Sequence, residues 1–180
     1  PLRDDGTRED LRENQDFTVT IDDERTRDID DALSVRHTAD GFEIGIHITD
    51  IATQVEQNSP LDKAVRARGS SIYCPELTIH LFPSELSTDR FSLVKGQDRE
   101  CVSLLCQVDR SYKITGSRLV RSLIRVDQRL SYSEVDALFE SVPTDHPLIT
   151  LHNVATQREE ERVMAGAFRG ESQELDVEPP

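Results

Sequence analysis

The sequence predicts an α+β fold: a mixed, mainly antiparallel β-sheet with hairpins in the first two-thirds of the chain, and helices packed on it toward the C-terminus. Three observations carry this expectation. Apolar and polar residues alternate in short runs from Phe17 onward, the period-two signature of half-buried strands. The turn signal Thr38-Ala39-Asp40-Gly41 splits one such run into two halves. After Leu130, helix-start signals and helical apolar spacing take over. Strands first and helices last is the order of an α+β domain. At 180 residues the chain is long enough for one domain with its own core.

Residues 1–16 are polar and read as an extended lead-in or linker, with folded structure starting at Phe17. Phe17, Val19 and Ile21 alternate with threonines as a strand. An acidic stretch, Asp22 to Asp31, follows. Leu33 and Val35, then Phe42, Ile44, Ile46 and Ile48, flank the turn and predict a β-hairpin over 32–48. Ser59-Pro60-Leu61-Asp62 predicts a helix start, with Ser59 as cap, Pro60 in the first turn and Asp62 at the positive helix end. Leu61, Ala64 and Val65 form its apolar face, and Gly69 ends it. A short strand at Ser71–Cys74 comes next, then an irregular stretch with one helical turn near Ser84–Leu86.

Two longer strands are expected near 100–109 and 113–126. Ser131-x-x-Glu134 is a capping box, stapled by Leu130 and Val135, that starts a helix to about Glu140. A last helix, from about Pro147 to Met164, carries Leu148, Leu151, Val154, Ala155 and Val163, with Arg158 to Arg162 as a solvated charged face. The tail Glu171–Pro180 is acidic and has no core of its own.

The formal net charge is −14, with 35 acids against 21 bases, which argues against a protein held to nucleic acid by overall charge alone. It leaves room for an enzyme that passes a strand over a metal, because a cation site needs carboxylates. Cys74, Cys101 and Cys106 are odd in number and contain no C-x-x-C pair. Free thiols in a reducing, cytoplasmic setting fit better than a disulfide framework or a zinc knuckle. No apolar run is long enough to span a bilayer, and no signal peptide is recognisable.

Asp22-Asp23-Glu24-Arg25-Thr26-Arg27-Asp28-Ile29-Asp30-Asp31 holds six acids in ten residues. Mutual repulsion makes this costly in a compact fold unless the loop is fully solvated or a cation is bound. Acidic runs are commonly just solvated, but this one is wedged between two half-buried strands, with Ile29 placed as an anchor. Asp31 shares strand parity with Leu33 and Val35, so its carboxylate starts on their apolar face and needs a cationic partner. In an extended chain Asp28 and Asp30 point one way and Asp31 the other, and a bend near Asp30 brings them round one ion. Magnesium takes a few carboxylates plus water and phosphate oxygens. An EF-hand is excluded: its obligatory sixth-position glycine is Leu33 counted from Asp28 and Arg27 counted from Asp22.

The ordered motifs resemble those of the RNase II/RNase R family of exoribonucleases. Asp22, five residues, then Asp28-Ile29-Asp30-Asp31 is similar to the signature of that family's catalytic domain. Ile46-His47-Ile48-Thr49-Asp50, Ser59-Pro60-Leu61-Asp62, Ala67-Arg68-Gly69-Ser70-Ser71-Ile72-Tyr73, Leu81-Phe82-Pro83-Ser84-Glu85-Leu86-Ser87 and Arg129-Leu130-Ser131-Tyr132-Ser133-Glu134-Val135 follow in the family's order. The resemblance makes 17–180 the amino-terminal part of that domain. It implies a Mg²⁺-dependent hydrolase, with Mn²⁺ as a substitute, that degrades single-stranded RNA from its 3′ end and releases nucleoside 5′-monophosphates.

By motif position, Asp22, Asp28, Asp30 and Asp31 would be metal ligands. Asp28 and Asp30 would be catalytic, Asp30 being the carboxylate most tied to the chemical step. Tyr73 would stack on a base. Asp50 would contact ribose or a metal-bound water, or cap its strand. His47 lies opposite the apolar residues and reads as a bland polar group. Arg66, Arg68 and Arg99 meet phosphates or form surface ion pairs. The family's later arginine-rich motif and its oligonucleotide-binding barrels have no counterpart in these 180 residues. The resemblance therefore implies that this stretch alone is inactive. The alternative is a non-catalytic RNA-binding remnant of the same fold, and four intact aspartates argue against it.

Overall fold

A computed structural model describes residues 7–74 and 77–168. The tail Glu171–Pro180 lies outside the described residues. Strand β1 spans Glu9–Asp10, β2 Phe17–Asp22, β3 Asp31–Thr38 and β4 Gly41–Thr49. Helix α1 covers Pro60–Arg68, and the short β5 (Ile72–Tyr73) and β6 (Thr78–Ile79) form a separate hairpin. The long strands β7 (Asp98–Asp109) and β8 (Ile114–Arg125) precede β9 (Gln128–Ser131), α2 (Tyr132–Phe139) and α3 (Pro147–Met164). The main sheet has seven strands in the order β1-β8-β7-β4-β3-β2-β9. The β1–β8 and β2–β9 pairings are parallel and the others antiparallel, so the α+β expectation holds.

The order of strands forces the sheet to curl. β8 ends at Arg125 on one side of the sheet, and β9 starts at Gln128 on the opposite edge. Three peptide steps span at most about 11 Å, so the two sides are brought nearly together. A curled sheet has an inner and an outer face, and both are covered here. On the inner face Ala32, His47 and Ser103 are cross-strand neighbours, as are Ser34, Gly45 and Leu105. Leu11, Ile29, Ala32, Leu93, Cys101, Leu105, Ile124 and Val126 form the inner core. The outer face packs Phe17, Val19, Val35 and Ile44 against the helices through Val135, Leu148 and Val154. Leu148 is 2% exposed. Trimming it to alanine costs about 2–5 kcal/mol.

The inner face is unusually polar at its centre. His47 Nδ1 lies 2.6 Å from Ser103 Oγ and Nε2 lies 2.8 Å from Ser34 Oγ. Ser103 Oγ is in turn 2.5 Å from Ser122 Oγ. Every residue of this chain is fully buried. A Cβ on Gly45 would lie 2.3 Å from Ser34 Oγ and 2.5 Å from His47 Nε2, so only glycine leaves room for the imidazole. His47 is thus opposite the outer apolar residues as expected, but buried. Burial pushes its pKa down to about 4, so it packs as the neutral ring.

Folded structure starts earlier than the expected Phe17. Glu9 and Asp10 pair with Ser122 and Leu123, and Leu11 is 2% exposed in the inner core. A single apolar residue in a polar stretch carries no periodicity, which is why the sequence hides it. The capping box at Ser131 and Glu134 forms as expected, and so does the Ser59 cap of α1. The apolar face of α1 does not become core: no residue of this helix is fully buried. In α3 the apolar stripe is buried at Leu148 and Val154, but Val163 at its end is exposed. The turn expected near Ser84–Leu86 widens into a π-helical turn over Leu86–Arg90.

Candidate active site

Antiparallel pairing of β2 and β3 brings the end of one strand beside the start of the next, and the acidic loop bridges them. Two sets of contacts shape it. At its tip, Thr26 N donates to Asp23 O at 3.0 Å. There Arg129 Nη2 also donates to the carbonyls of Thr26, Glu24 and Asp23 at 2.6, 3.1 and 3.4 Å. At its base, Ile29 is buried and its N–H donates to Ser92 Oγ at 3.1 Å. Ser92 Oγ donates to Arg27 O, and Leu93 N donates to Ile29 O, both at 2.8 Å. Thr49 N holds Asp30 O at 3.1 Å. Ile29 is therefore the anchor its position suggested, and the carboxylates around it are held on a fixed backbone.

The four aspartates feel one another. Burial pushes the Asp22 pKa up to about 6; the charge of Asp31 adds to this, Arg129 opposes it, and Asp30 and Asp28 add smaller pushes. Asp22 Oδ2 is buried without a hydrogen-bond partner. The Asp31 pKa is also raised, by partial desolvation and by Asp30, although one side of this residue remains open to solvent. A buried, orphaned carboxylate oxygen among like charges is a donor set that fits a hard divalent cation. Among the described residues no three His, Cys, Asp or Glu side chains converge to ligating distance, so closing these carboxylates round a cation would need them to draw together.

The β5–β6 hairpin closes one side of the cluster. Tyr73 Oη donates to Asp28 Oδ2 at 2.8 Å, and His80 Nδ1 lies 3.3 Å from the same oxygen. The Asp28 bond is the main cause of a raised Tyr73 pKa, since it favours the neutral phenol. The Tyr73 ring is otherwise 68% exposed, so its face is open to a planar ligand. His80 was not foreseen, because nothing local marks it as a neighbour of Asp28.

The remaining candidates serve the scaffold. Asp50 is 5% exposed and its Oδ2 takes a 2.8 Å bond from Arg8 Nη2. Its side chain is committed to that ion pair. Arg66 pairs with Asp62 one turn away, Arg68 donates to the carbonyls of His80 and Leu81, and Arg99 donates to Ser92 O and Asp89. Arg129, quoted in the sequence only as part of a motif, turns out to organise the loop. No local signal reveals this, because Arg129 reaches the loop through the parallel β2–β9 pairing.

Fold and site together define a class: a curled α+β domain that gathers aspartates at the junction of two adjacent strands. The RNB domain family model matches residues 8–179, and the chain belongs to the RNB domain family. Among curated proteins, Ribonuclease R of Chlamydia trachomatis is 37% identical over 143 residues, covering 79% of this chain and 20% of its relative. The chain thus spans about a fifth of the length of that relative. Among solved structures, Mycoplasma genitalium RNase R in complex with ribose-methylated single-stranded RNA superposes with a TM-score of 0.80 at 26% identity, over 90% of this chain and 26% of that one. Yeast Ssd1, described as a pseudonuclease, superposes equally well at 0.80 and 23% identity, over 91% of this chain and 21% of that one. The second likeness speaks for the fold alone.

Proposed function

We propose that this chain supplies the aspartate half of a 3′→5′ exoribonuclease site that hydrolyses single-stranded RNA to nucleoside 5′-monophosphates with the help of Mg²⁺, or Mn²⁺ in its place. One observation carries the reading: the orphaned, buried Asp22 Oδ2 lies among the charges of Asp28, Asp30 and Asp31. The likeness to ribonucleases supports it, whereas the fold alone does not, since a pseudonuclease shares it.

Asp22, Asp28 and Asp31 would hold the cation from two chain segments. When bound, it lowers the pKa of a water and offsets charge on the scissile phosphate. Asp30, exposed on the pinned backbone, would orient the attacking water and accept its proton. Water would attack phosphorus, the bond to the preceding nucleotide's 3′ oxygen would break, that oxygen would take a proton from solvent to become the new 3′ hydroxyl, and the terminal nucleotide would leave as a 5′-monophosphate. Tyr73 would hold a base by stacking while its hydroxyl keeps Asp28 in place. The flanking RNA-binding domains and the distal arginines implied by the resemblance would hold the rest of the strand.

The test uses a protein that contains this chain within a complete RNB domain. With 5′-labelled single-stranded RNA and Mg²⁺, the wild type should give a ladder shortening from the 3′ end. Asp30→Asn should abolish the ladder while keeping or slightly raising RNA affinity. Loss of RNA binding in a folded Asp30→Asn protein would make Asp30 a positioning residue and overturn its chemical role. RNA binding without any metal-dependent shortening by the wild type would favour the binding remnant.

A further inference from the structure

The backbone from Arg27 to Asp30 is a partition. Alternate residues of an extended segment face opposite sides. Asp28 and Asp30 lie on the side of the aspartate cluster, while Arg27 and Ile29 line a cavity of about 380 Å³ together with Thr88, Ser92, Val94, Lys95 and Arg129. Three of its seven lining residues are cations and none is an acid, in a chain of net charge −14.

The charges in this cavity are not spent on carboxylates. Other arginines among the described residues are: Arg8 on Asp50, Arg12 on Asp10 and Asp98, Arg36 on Glu43, Arg118 on Glu9. Among the described residues, no ion pair within 4 Å involves Arg27, Lys95 or Arg129. Arg129 spends one nitrogen on three backbone carbonyls and acts on Asp22 and Glu134 only at longer range, so the two cations left without a carboxylate are Arg27 and Lys95. Arg27 and Lys95 are exposed at the rim. Ser92 Oγ and Thr88 Oγ1 already donate to backbone carbonyls, so the polar recognition available is cationic.

We propose that this cavity is a phosphate-binding site that takes a backbone phosphate of the RNA strand, on the far side of the Arg27–Asp30 partition from the aspartates. The assignment rests on the proposed RNA substrate for its ligand and on the cavity lining for its chemistry. One short segment then handles two phosphates with opposite means. Carboxylates act through a cation on one side, and unpaired arginine and lysine hold an anion directly on the other. Arg27 and Lys95 make no ion pair with the aspartates, so they stay available to an anion.

Two measurements on the chain test it. First, inorganic phosphate is titrated into isotopically labelled chain and followed by amide NMR. Shifts should cluster at Arg27, Thr88, Ser92 and Lys95, and disappear in Arg27→Ala/Lys95→Ala. Shifts elsewhere only, or equal shifts in the double variant, overturn the site. Second, a fluorescent single-stranded RNA decamer is titrated over a range of salt, without divalent metal. The double variant should bind at least about fivefold more weakly, with a salt slope shallower by about 1.4, the value for two lost contacts to a single strand. Lys113→Ala, in the exposed β7–β8 turn, should leave both unchanged. Phosphate bound in the cavity but not displaced by the decamer would mean an inorganic-anion site and overturn the RNA assignment. If the decamer binds equally to wild type and double variant, the cavity proposal fails while the RNA reading stands. Both variant residues are exposed, so thermal melts should confirm an intact fold.

Discussion

The Tyr73 hydroxyl donates a 2.8 Å hydrogen bond to Asp28 Oδ2 while the tyrosine ring stays 68% exposed. One side chain thus touches the carboxylate cluster with its tip and offers solvent its face. These two roles separate on mutation. Tyr73→Phe keeps the face and loses the bond, so Mn²⁺ affinity by calorimetry should fall about threefold to tenfold, as for one partly exposed charge-assisted bond. RNA affinity should barely move. Tyr73→Leu should also weaken RNA binding, by about 1–3 kcal/mol for a lost stack. Equal RNA affinity in the two variants would refute the stacking role.

An ionised Asp22 opposes the metal-free fold. Its folded pKa, about 6, lies above its ordinary value of 3.8, so ionising it at neutral pH opposes folding. Asp22→Asn should therefore raise the stability of the metal-free chain at pH 7.5, by about 1 kcal/mol once solvent screening is allowed for. That corresponds to a melting-temperature gain of about 2–4 °C. The gain should shrink as pH falls through 6 toward 4, where the wild-type carboxyl is protonated anyway. Added Mn²⁺ should raise the wild-type melting temperature and leave the variant nearly unmoved. A destabilised variant at pH 7.5 would contradict this account.

His47 sets the opposite trend. Its folded pKa of about 4 lies below the ordinary 6.5, so the unfolded chain takes up a proton first as pH drops. The stability it protects is fully present above pH 6.5 and is lost progressively toward 4. Between pH 7 and pH 5 the loss should be about 2 kcal/mol. Urea unfolding in the Asp22→Asn background, where the opposing carboxyl is gone, isolates it. A flat profile there would show that His47 can take a proton from solvent in place, with Ser103 and Ser34 Oγ accepting from both ring N–H groups.

The 180 residues alone should not degrade RNA at a useful rate. A chain of net charge −14 holds a polyanion poorly, and the distal arginine-rich motif of the resembling family is absent from its sequence. One missing preorganised donor typically costs roughly 100- to 1000-fold in rate. Incubation with 5′-labelled RNA and Mg²⁺ should leave the substrate intact over hours. A 3′-end ladder made by the wild type and not by Asp30→Asn would overturn the expectation.

What the sequence made legible was local chemistry. The Ser131–Glu134 box, the Ser59 cap and the 32–48 hairpin each declare themselves within a few residues, and each is present. Strand parity correctly set His47 against the outer apolar residues, but parity says which face a residue is on and not whether that face is covered. The curl closes the inner face, which is why His47 is core. Parity likewise put Asp31 with Leu33 and Val35, yet the helices cover that face only farther along, and Asp31 stays open. The aspartate loop was visible as a charge anomaly. Its clamp was not, because Arg129 is brought to it by a pairing between segments more than a hundred residues apart.

That same pairing has a kinetic consequence. Asp22 is registered opposite Ser131, and Val19 opposite Gln128, in the parallel ladder that joins β2 to β9. Ladders between such distant segments carry a large loop-closure cost and form slowly relative to local hairpins. During synthesis the β2–β3, β3–β4 and β7–β8 pairs can form as they emerge, while the other edge of β2 waits for a partner made much later. The carboxylate at its end acquires its final setting only when that partner docks. If the proposed cation site is real, a cation added to a partly synthesised chain should find no site until the segment around Ser131 has joined the sheet, and its uptake would then report completion of the fold.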